Sequence, residues 1–157
     1  MKKAEIIKSW ELVFPNDTNP RGTMFGGKVM AIMDKVAAIA AARFCGKSVV
    51  TASTEAIVFK KPIQQGDRIQ TIGQVVWSGK TSMVVKVDVY AENPRSGEYA
   101  HCTTAHFNFV ALDDEGRPAP VPPLLVETEE EKRHYEVAEF VKKQALERKK
   151  KIEESGI

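Results

Sequence analysis

Cysteine is scarce in this chain: Cys45 and Cys102 are the only two among 157 residues. They form neither a disulfide framework nor a metal-ligating pattern, so two reduced, buried thiols in a cytoplasmic protein are expected. Long apolar runs are also missing. The stretch from Val29 to Ala42 is interrupted by Asp34 and Lys35, and nothing else approaches the length of a bilayer-spanning helix. Met1 to Lys8 has lysines but no long apolar core behind them, which excludes a secretion signal from the expectation. Charge of one sign is lacking as well. With 23 Lys and Arg against 21 Asp and Glu, the net charge of +2 is too small to argue for nucleic acid or membrane insertion. Histidine is sparse, and His101 and His106 lie an odd number of residues apart in one strand-like run. Regular alternation would point them to opposite faces, so neither a metal pair nor a catalytic dyad is expected, and no metal site is.

What is present suits one globular domain: 43% of residues are hydrophobic and 28% charged. A chain of this size buries roughly 70% of its unfolded surface, enough for a core without staples. Ser9 to Phe14 alternates as a strand does. Pro15 to Gly27 is dense in Pro, Asn, Asp and Gly, which is loop chemistry. From about Lys28 to Phe44 a helix is predicted. It is apolar around most of its circumference, so it must be nearly enclosed, and Gly46 closes it.

Strands then follow one another: Val49 to Lys60, Arg68 to Trp77, Thr81 to Ala91 and Tyr99 to Leu112. The connections at 64–67, 78–80 and 93–97 are turns, and tight turns between consecutive strands imply an antiparallel sheet. The order is β-α-β-β-β-β, an α+β layout in which a curved sheet wraps one long central helix. Residues 1–126 make this body. Residues 127–157 differ in kind: nine acidic and eight basic residues are interspersed with Tyr135, Ala138, Val141 and Ala145 at helical spacing. Thr128 and Glu131 fit a capping box. A charged surface helix, packed lightly on the body, is expected, with Arg148 to Lys151 as its solvated end.

Asp34 is the most informative residue. Its neighbours at i±3 and i±4 are Met30, Ala31, Ala37 and Ala38. A carboxylate in that company lies either on the narrow wet stripe of the helix, with Lys35, or at a functional site, because burying it unpaired costs several kcal/mol. Gly26 and Gly27 sit at the helix N-terminus, where glycine lets a ligand reach the backbone and free N–H groups favour an anion or an oxyanion. Asn19, in the same loop, can both donate and accept hydrogen bonds. Each of these also reads as a turn residue or a helix start.

The stretch from Asn16 to Gly27, followed by Val29-Met30 and Met33-Asp34, resembles the signature of the acyl-CoA thioester hydrolase family with hotdog domains. The resemblance continues through Val49 to Ser53, Phe59 to Pro62, Gly79 to Met83 and Glu115 to Pro118, and covers about residues 10 to 135. It implies a hotdog fold and acyl-CoA hydrolysis without a cofactor, coenzyme A being only product and part of the substrate. It also implies a homo-oligomer, a hexamer built from three hotdog dimers. The family's catalytic carboxylate falls on Asp34, its catalytic asparagine on Asn19, and its helix-start glycine on Gly27, whose amide would hold the thioester oxygen. The asparagine and carboxylate of each site would come from different subunits.

Weaker candidates for substrate binding are Gly26, Thr54, Lys60 and the turn Ser78, Gly79, Lys80, Thr81 and Ser82. That turn serves CoA binding in the family and also reads as an ordinary hairpin. Two other classes stand beside the hydrolase. A non-catalytic acyl-CoA sensor would need an output module, which the sequence does not display. A hotdog hydratase commonly pairs His with Asp or Glu, and neither the loop nor the central helix contains histidine.

Overall fold

The computed structural model describes residues 1–55 and 57–157. Its elements are β1 (Ile7–Leu12), a single 3-10 turn (Pro15–Asp17), α1 (Gly26–Cys45), β2 (Ser48–Thr54), β3 (Val58–Phe59), β4 (Arg68–Ser78), β5 (Ser82–Glu92), β6 (Tyr99–Leu112) and α2 (Glu129–Glu154). The expected α+β order is present, with one refinement. The run from Val49 to Lys60 is two strands, β2 and β3, both antiparallel to β6. The sheet is antiparallel throughout, in the order β1-β4-β5-β6-β2.

Alanine shapes the core. Ala37, Ala40 and Ala41 of α1 are buried with Val29, Met33 and Phe44, so the helix axis can lie close to the sheet. Facing them are Val75 of β4, Val85, Val87 and Val89 of β5, and Phe107 and Phe109 of β6. Gly73 is needed where β4 passes under α1: a Cβ there would stand 3.0 Å from Val36 Cγ1. Gly46 takes the left-handed conformation at φ 67° and donates its N–H to Ala42 O, ending the helix as expected.

The concave face of the sheet holds α1; α2 lies on the convex face, where buried Ala138 packs against Val76 and Val84. Thr128 caps α2 by accepting from Glu131 N at 3.0 Å. The Glu131 carboxylate reaches back as expected, but to Glu127 N, at 2.9 Å. Arg148 to Lys151 are exposed, as expected for a solvated helix end, but Arg148 also has a partner. Its guanidinium pairs with the buried carboxylate of Glu55 just after β2, a partner 93 positions away that helical periodicity does not reveal.

His101 and His106 do not point to opposite faces. The β5–β6 register shifts between Val89 and Tyr90, so Tyr90 pairs with His101 while Val89 pairs with Thr103. The extra residue, Cys102, is a bulge that puts both histidines on the convex face. There His101 Nε2 lies 3.0 Å from Asp88 Oδ1, and Lys86, the register partner of His106, bonds Asp88 Oδ2 at 2.6 Å.

This cluster carries a pH dependence. Burial, and then the neighbouring Lys86 ammonium, hold His106 below the ordinary histidine value, against Asp88 and Glu55; burial and Lys86 hold His134 of α2 low in the same way, against Glu130 and Asp88. Both rings are thus favoured neutral in the folded chain, and the unfolded chain binds more protons just below about pH 6.5. Stability is full above that pH and falls as the pH drops through it. The His106→Gln protein is expected to lose less Tm than the parent between pH 7 and pH 5.5. Equal losses by calorimetry would remove His106 from the account.

Candidate active site

Asp34 sits on the third turn of α1, half-buried. Its Oδ1 accepts a hydrogen bond of 2.7 Å from Thr51 Oγ1 on β2. The two lie on facing surfaces, because Thr51 pairs with Phe109 and points to the concave side with it. Thr51 was not among the sequence candidates. Thr54 was, but it is exposed at the end of β2 and makes no hydrogen bond to Asp34. The register shift between Thr51 and Ser53, a bulge at Ala52, puts both threonines on the concave side, Thr51 opposite Phe109 and Thr54 opposite Phe107, and Thr54 is separated from Asp34 by its place at the end of the strand rather than by its face.

The loop before α1 is tied to the helix start. Asp17 O accepts from Phe25 N at 2.8 Å, and Lys28 Nζ bonds Asp17 Oδ1 and Asn16 O, each at 3.0 Å. The amide of Phe14 and then the Lys28 ammonium hold the Asp17 carboxyl below its ordinary range. Met24 N bonds Ile63 O at 2.7 Å, fixing the loop to the segment after β3. Asn19 folds the loop on itself: Oδ1 accepts from Arg21 N at 2.9 Å and Nδ2 donates to Thr23 Oγ1 at 2.8 Å. Among the described residues no hydrogen bond joins Asn19 to Asp34, so one chain does not bring the two together by direct contact.

Gly26 and Gly27 open α1. Phe25 is its N-cap and supplies no side-chain bond, while the first helical carbonyl, Phe25 O, takes Lys28 N and Val29 N. Among the described residues the amides of Gly26 and Gly27 have no partner, which leaves two N–H groups at the positive end of the helix dipole. Beside them is a cleft of about 340 Å³ lined by Thr23, Met24, Gly26, Phe59, Lys61 and Ile63. Lys60 is exposed next to this cleft, and its own amide bonds Cys102 O at 2.8 Å.

The turn from Ser78 to Ser82 has structural duties. Gly79 N donates to Ser82 O at 2.8 Å, Ser78 Oγ accepts from Leu124 N at 2.9 Å, and Lys80 O accepts from Val121 N at 3.0 Å. Thr81 O accepts from Ala111 N at 2.9 Å. These bonds fasten residues 111–124 across the end of the sheet.

One helix behind a curved sheet thus carries two unpaired amides at its start and, two turns on, a carboxylate held by a hydroxyl. Residues 21–98 match the thioesterase superfamily. The chain is 45% identical over 130 residues to an uncharacterized acyl-CoA thioester hydrolase of Bacillus subtilis, covering 83% of this chain and 75% of that protein. It is 40% identical over 127 residues to the human cytosolic acyl coenzyme A thioester hydrolase, where it spans only 33% of that longer protein. Among solved structures, a Staphylococcus aureus acyl-CoA hydrolase in complex with butyryl coenzyme A, coenzyme A and coenzyme A disulfide superposes with a TM-score of 0.85 at 38% identity, covering 97% of this chain and 95% of that one. An apo-hexameric acyl-CoA thioesterase does so with a TM-score of 0.87 at 41% identity, covering 91% and 92%. The chain therefore belongs to the acyl-CoA thioester hydrolase family of hotdog proteins. No helix among the described residues is long and apolar enough to cross a membrane.

The turn offers a test of its structural duty. A Cβ on Gly79 would lie 2.6 Å from the Trp77 ring, which packs against the α2 contact, and 3.3 Å from Ser82 Oγ. Gly79→Ala is expected to cost about 1 kcal/mol through overpacking, or roughly 2–4 °C in Tm. An unchanged Tm would mean that the Trp77 ring moves aside freely.

Proposed function

We propose that this chain hydrolyses acyl-CoA thioesters to the free acid and CoA, with Asp34 as the carboxylate that handles water. The observation that carries this reading is the Thr51–Asp34 hydrogen bond on a helix that begins, two turns earlier, with two unpaired amides. A thiolate leaves readily, so neither metal nor cofactor is needed. Asp34 orients and deprotonates water, or attacks directly to give an anhydride; Thr51 fixes the carboxylate oxygen that does not react. The Gly27 amide, with Gly26, takes the oxyanion that forms at the thioester carbonyl. Lys60, Thr54 and the turn Ser78 to Ser82 remain the proposed contacts for CoA.

The spacing of residues supports the same site. The S. aureus hydrolase has been solved with alanine in place of an asparagine, an aspartate and a threonine. Its asparagine precedes the aspartate by 15 positions and its threonine follows by 17, which are the separations of Asn19, Asp34 and Thr51.

The exposed apolar surface argues for a second copy. Met30 and Ile39 on the outer side of α1, and Val50, Val58 and Phe59 at the free β2–β3 edge, are all exposed large hydrophobics. An edge strand with an apolar flank invites pairing, here into a continuous two-chain sheet. The hexameric relative supports three such dimers. Action in the cytoplasm fits the free thiols Cys45 and Cys102.

Asp34→Asn is expected to reduce turnover about a hundredfold or more while leaving the fold intact, as followed by release of free thiol from short, medium and long acyl-CoAs. Near-parent turnover would remove Asp34 from the mechanism. A second test asks whether each site is shared. Asn19→Ala and Asp34→Ala are each expected to be nearly inactive. Co-refolded in equal amounts, half the dimers are mixed, and roughly a quarter of all sites recover both residues by two-fold symmetry. Mixed dimers present by mass spectrometry without recovered activity would reject the shared site.

A further inference from the structure

On the convex side of the sheet, opposite Asp34, lies a polar group that the hydrolase reading does not use. Glu55 follows β2 and is buried at 9% exposure. Its Oε1 accepts from Asn108 Nδ2 at 3.2 Å and lies 3.4 Å from Ser53 Oγ, and its Oε2 pairs with the Arg148 guanidinium of α2. Asn108 Nδ2 also bonds Ser53 Oγ at 2.7 Å. Asn108 itself is 1% exposed, and its register partner across β2–β6 is Ser53. Glu55, Ser53, Asn108 and Arg148 therefore form one hydrogen-bonded unit joining β2, β6 and the far half of α2.

Two residues away, on the other face, Thr51 holds Asp34. In a regular strand Thr51 and Ser53 would share a face. They do not, because Ala52 is a bulge between them. If the bulge slid out, every side chain on one side of it would change face. Either Ser53 would leave Asn108, or Thr51 would leave Asp34. The convex unit therefore decides which register β2 keeps, and that register is the one in which the Thr51 hydroxyl reaches the carboxylate. The buried carboxylate of Glu55 makes the choice strict, since it stays buried only while Arg148 and Asn108 meet it.

We propose that Glu55 and Arg148 are positioning residues for Asp34, acting through the bulge at Ala52 and the Thr51 hydrogen bond, so that the C-terminal helix sets the geometry of the reacting carboxylate. The proposal rests on the reading of Asp34 as the reacting group.

The test is a double-mutant cycle in the full-length protein, with the acyl-CoA that turns over fastest. Arg148→Gln is expected to lower kcat about tenfold, leaving KM and the affinity for CoA near parent values. CoA titration by calorimetry counts the folded sites, so that a loss of folded protein is not read as a loss of rate. Arg148→Lys, which keeps the charge, is expected to recover most of kcat. In a Thr51→Val background, where no hydroxyl remains to be positioned, Arg148→Gln is expected to cost little further. Glu55→Gln, which removes the charge but keeps the Asn108 bond, serves as the second arm if Arg148→Gln folds poorly. Parent-like kcat per folded site in Arg148→Gln or in Glu55→Gln overturns the proposal. So does an equal loss with and without Thr51, which would mean that the pair acts elsewhere. Asp34→Asn separates the two levels: if that protein turns over normally the hydrolase site is misassigned, whereas an inactive Asp34→Asn with an additive cycle sinks only the positioning role.

Discussion

A half-buried carboxylate at the margin of an apolar helix face is held in place by a donor, and Asp34 is met by Thr51. That bond constrains much else. For Thr51 to arrive, β2 has to cross α1 on the concave side at the right height, which the pairing of Thr51 with Phe109 secures. For α1 to lie close enough, its inward residues have to be small, as Ala37, Ala40 and Ala41 are. For the carboxylate to act on a substrate, the helix must begin where a ligand can reach it. The loop from Asn16 to Phe25 is held there by Asp17 and Lys28 and by Met24 on Ile63.

The strand that brings Thr51 is also one of the sheet's two edges. Edge strands are the least constrained part of a sheet, since one side has no ladder to fix register. A residue that must hold a carboxylate is thus placed on the element most able to slip. Within one chain β6 supplies one restraint, and the Glu55–Asn108–Ser53 unit under α2 supplies another. The long charged helix, which carries only Ala138 as a buried residue, would be hard to justify by core burial alone. Its pairing of Arg148 with Glu55 gives it a part in fixing the edge.

How far the sequence revealed this differs from element to element. The closing glycine of α1 and the turns between strands were legible, because each follows from local backbone chemistry; the near enclosure that the apolar circumference of α1 suggested is not met within one chain, where Met30 and Ile39 are exposed. Asp34, Asn19 and the Gly26–Gly27 helix start were legible as candidates, being polar or glycine residues set against an apolar pattern. The bulges were not. One extra residue at Ala52 sends Ser53 to the convex face and keeps Thr51 and Thr54 on the concave one, where regular alternation would have paired Thr51 with Ser53. Another at Cys102 brings His101 and His106 to the same face. A bulge changes the phase of the alternation without leaving a distinctive residue behind, since alanine and cysteine occupy these two. The pairing of Glu55 with Arg148 was hidden for a different reason: it depends on where a helix 93 positions away comes to rest.

The glycines separate what the fold needs from what it does not. Gly73 and Gly79 are explained by packing, against Val36 and the Trp77 ring respectively. A glycine in the Ser78–Ser82 turn is therefore no sign of a ligand by itself. Gly26 and Gly27 are different. A Cβ on Gly27 would meet nothing within 4 Å, and one on Gly26 would touch only the Phe59 ring at an ordinary 3.8 Å. Neither glycine has the positive φ that would exclude alanine. At an interior position alanine would favour a helix by about 1 kcal/mol over glycine; in the first turn, where these two stand, the difference is smaller. Among the described residues no packing contact demands glycine at either position, which fits the proposed role of the two amides. A thioester carbonyl brought up against the two unpaired amides would meet a side chain at either position, and glycine is the residue that leaves that approach open.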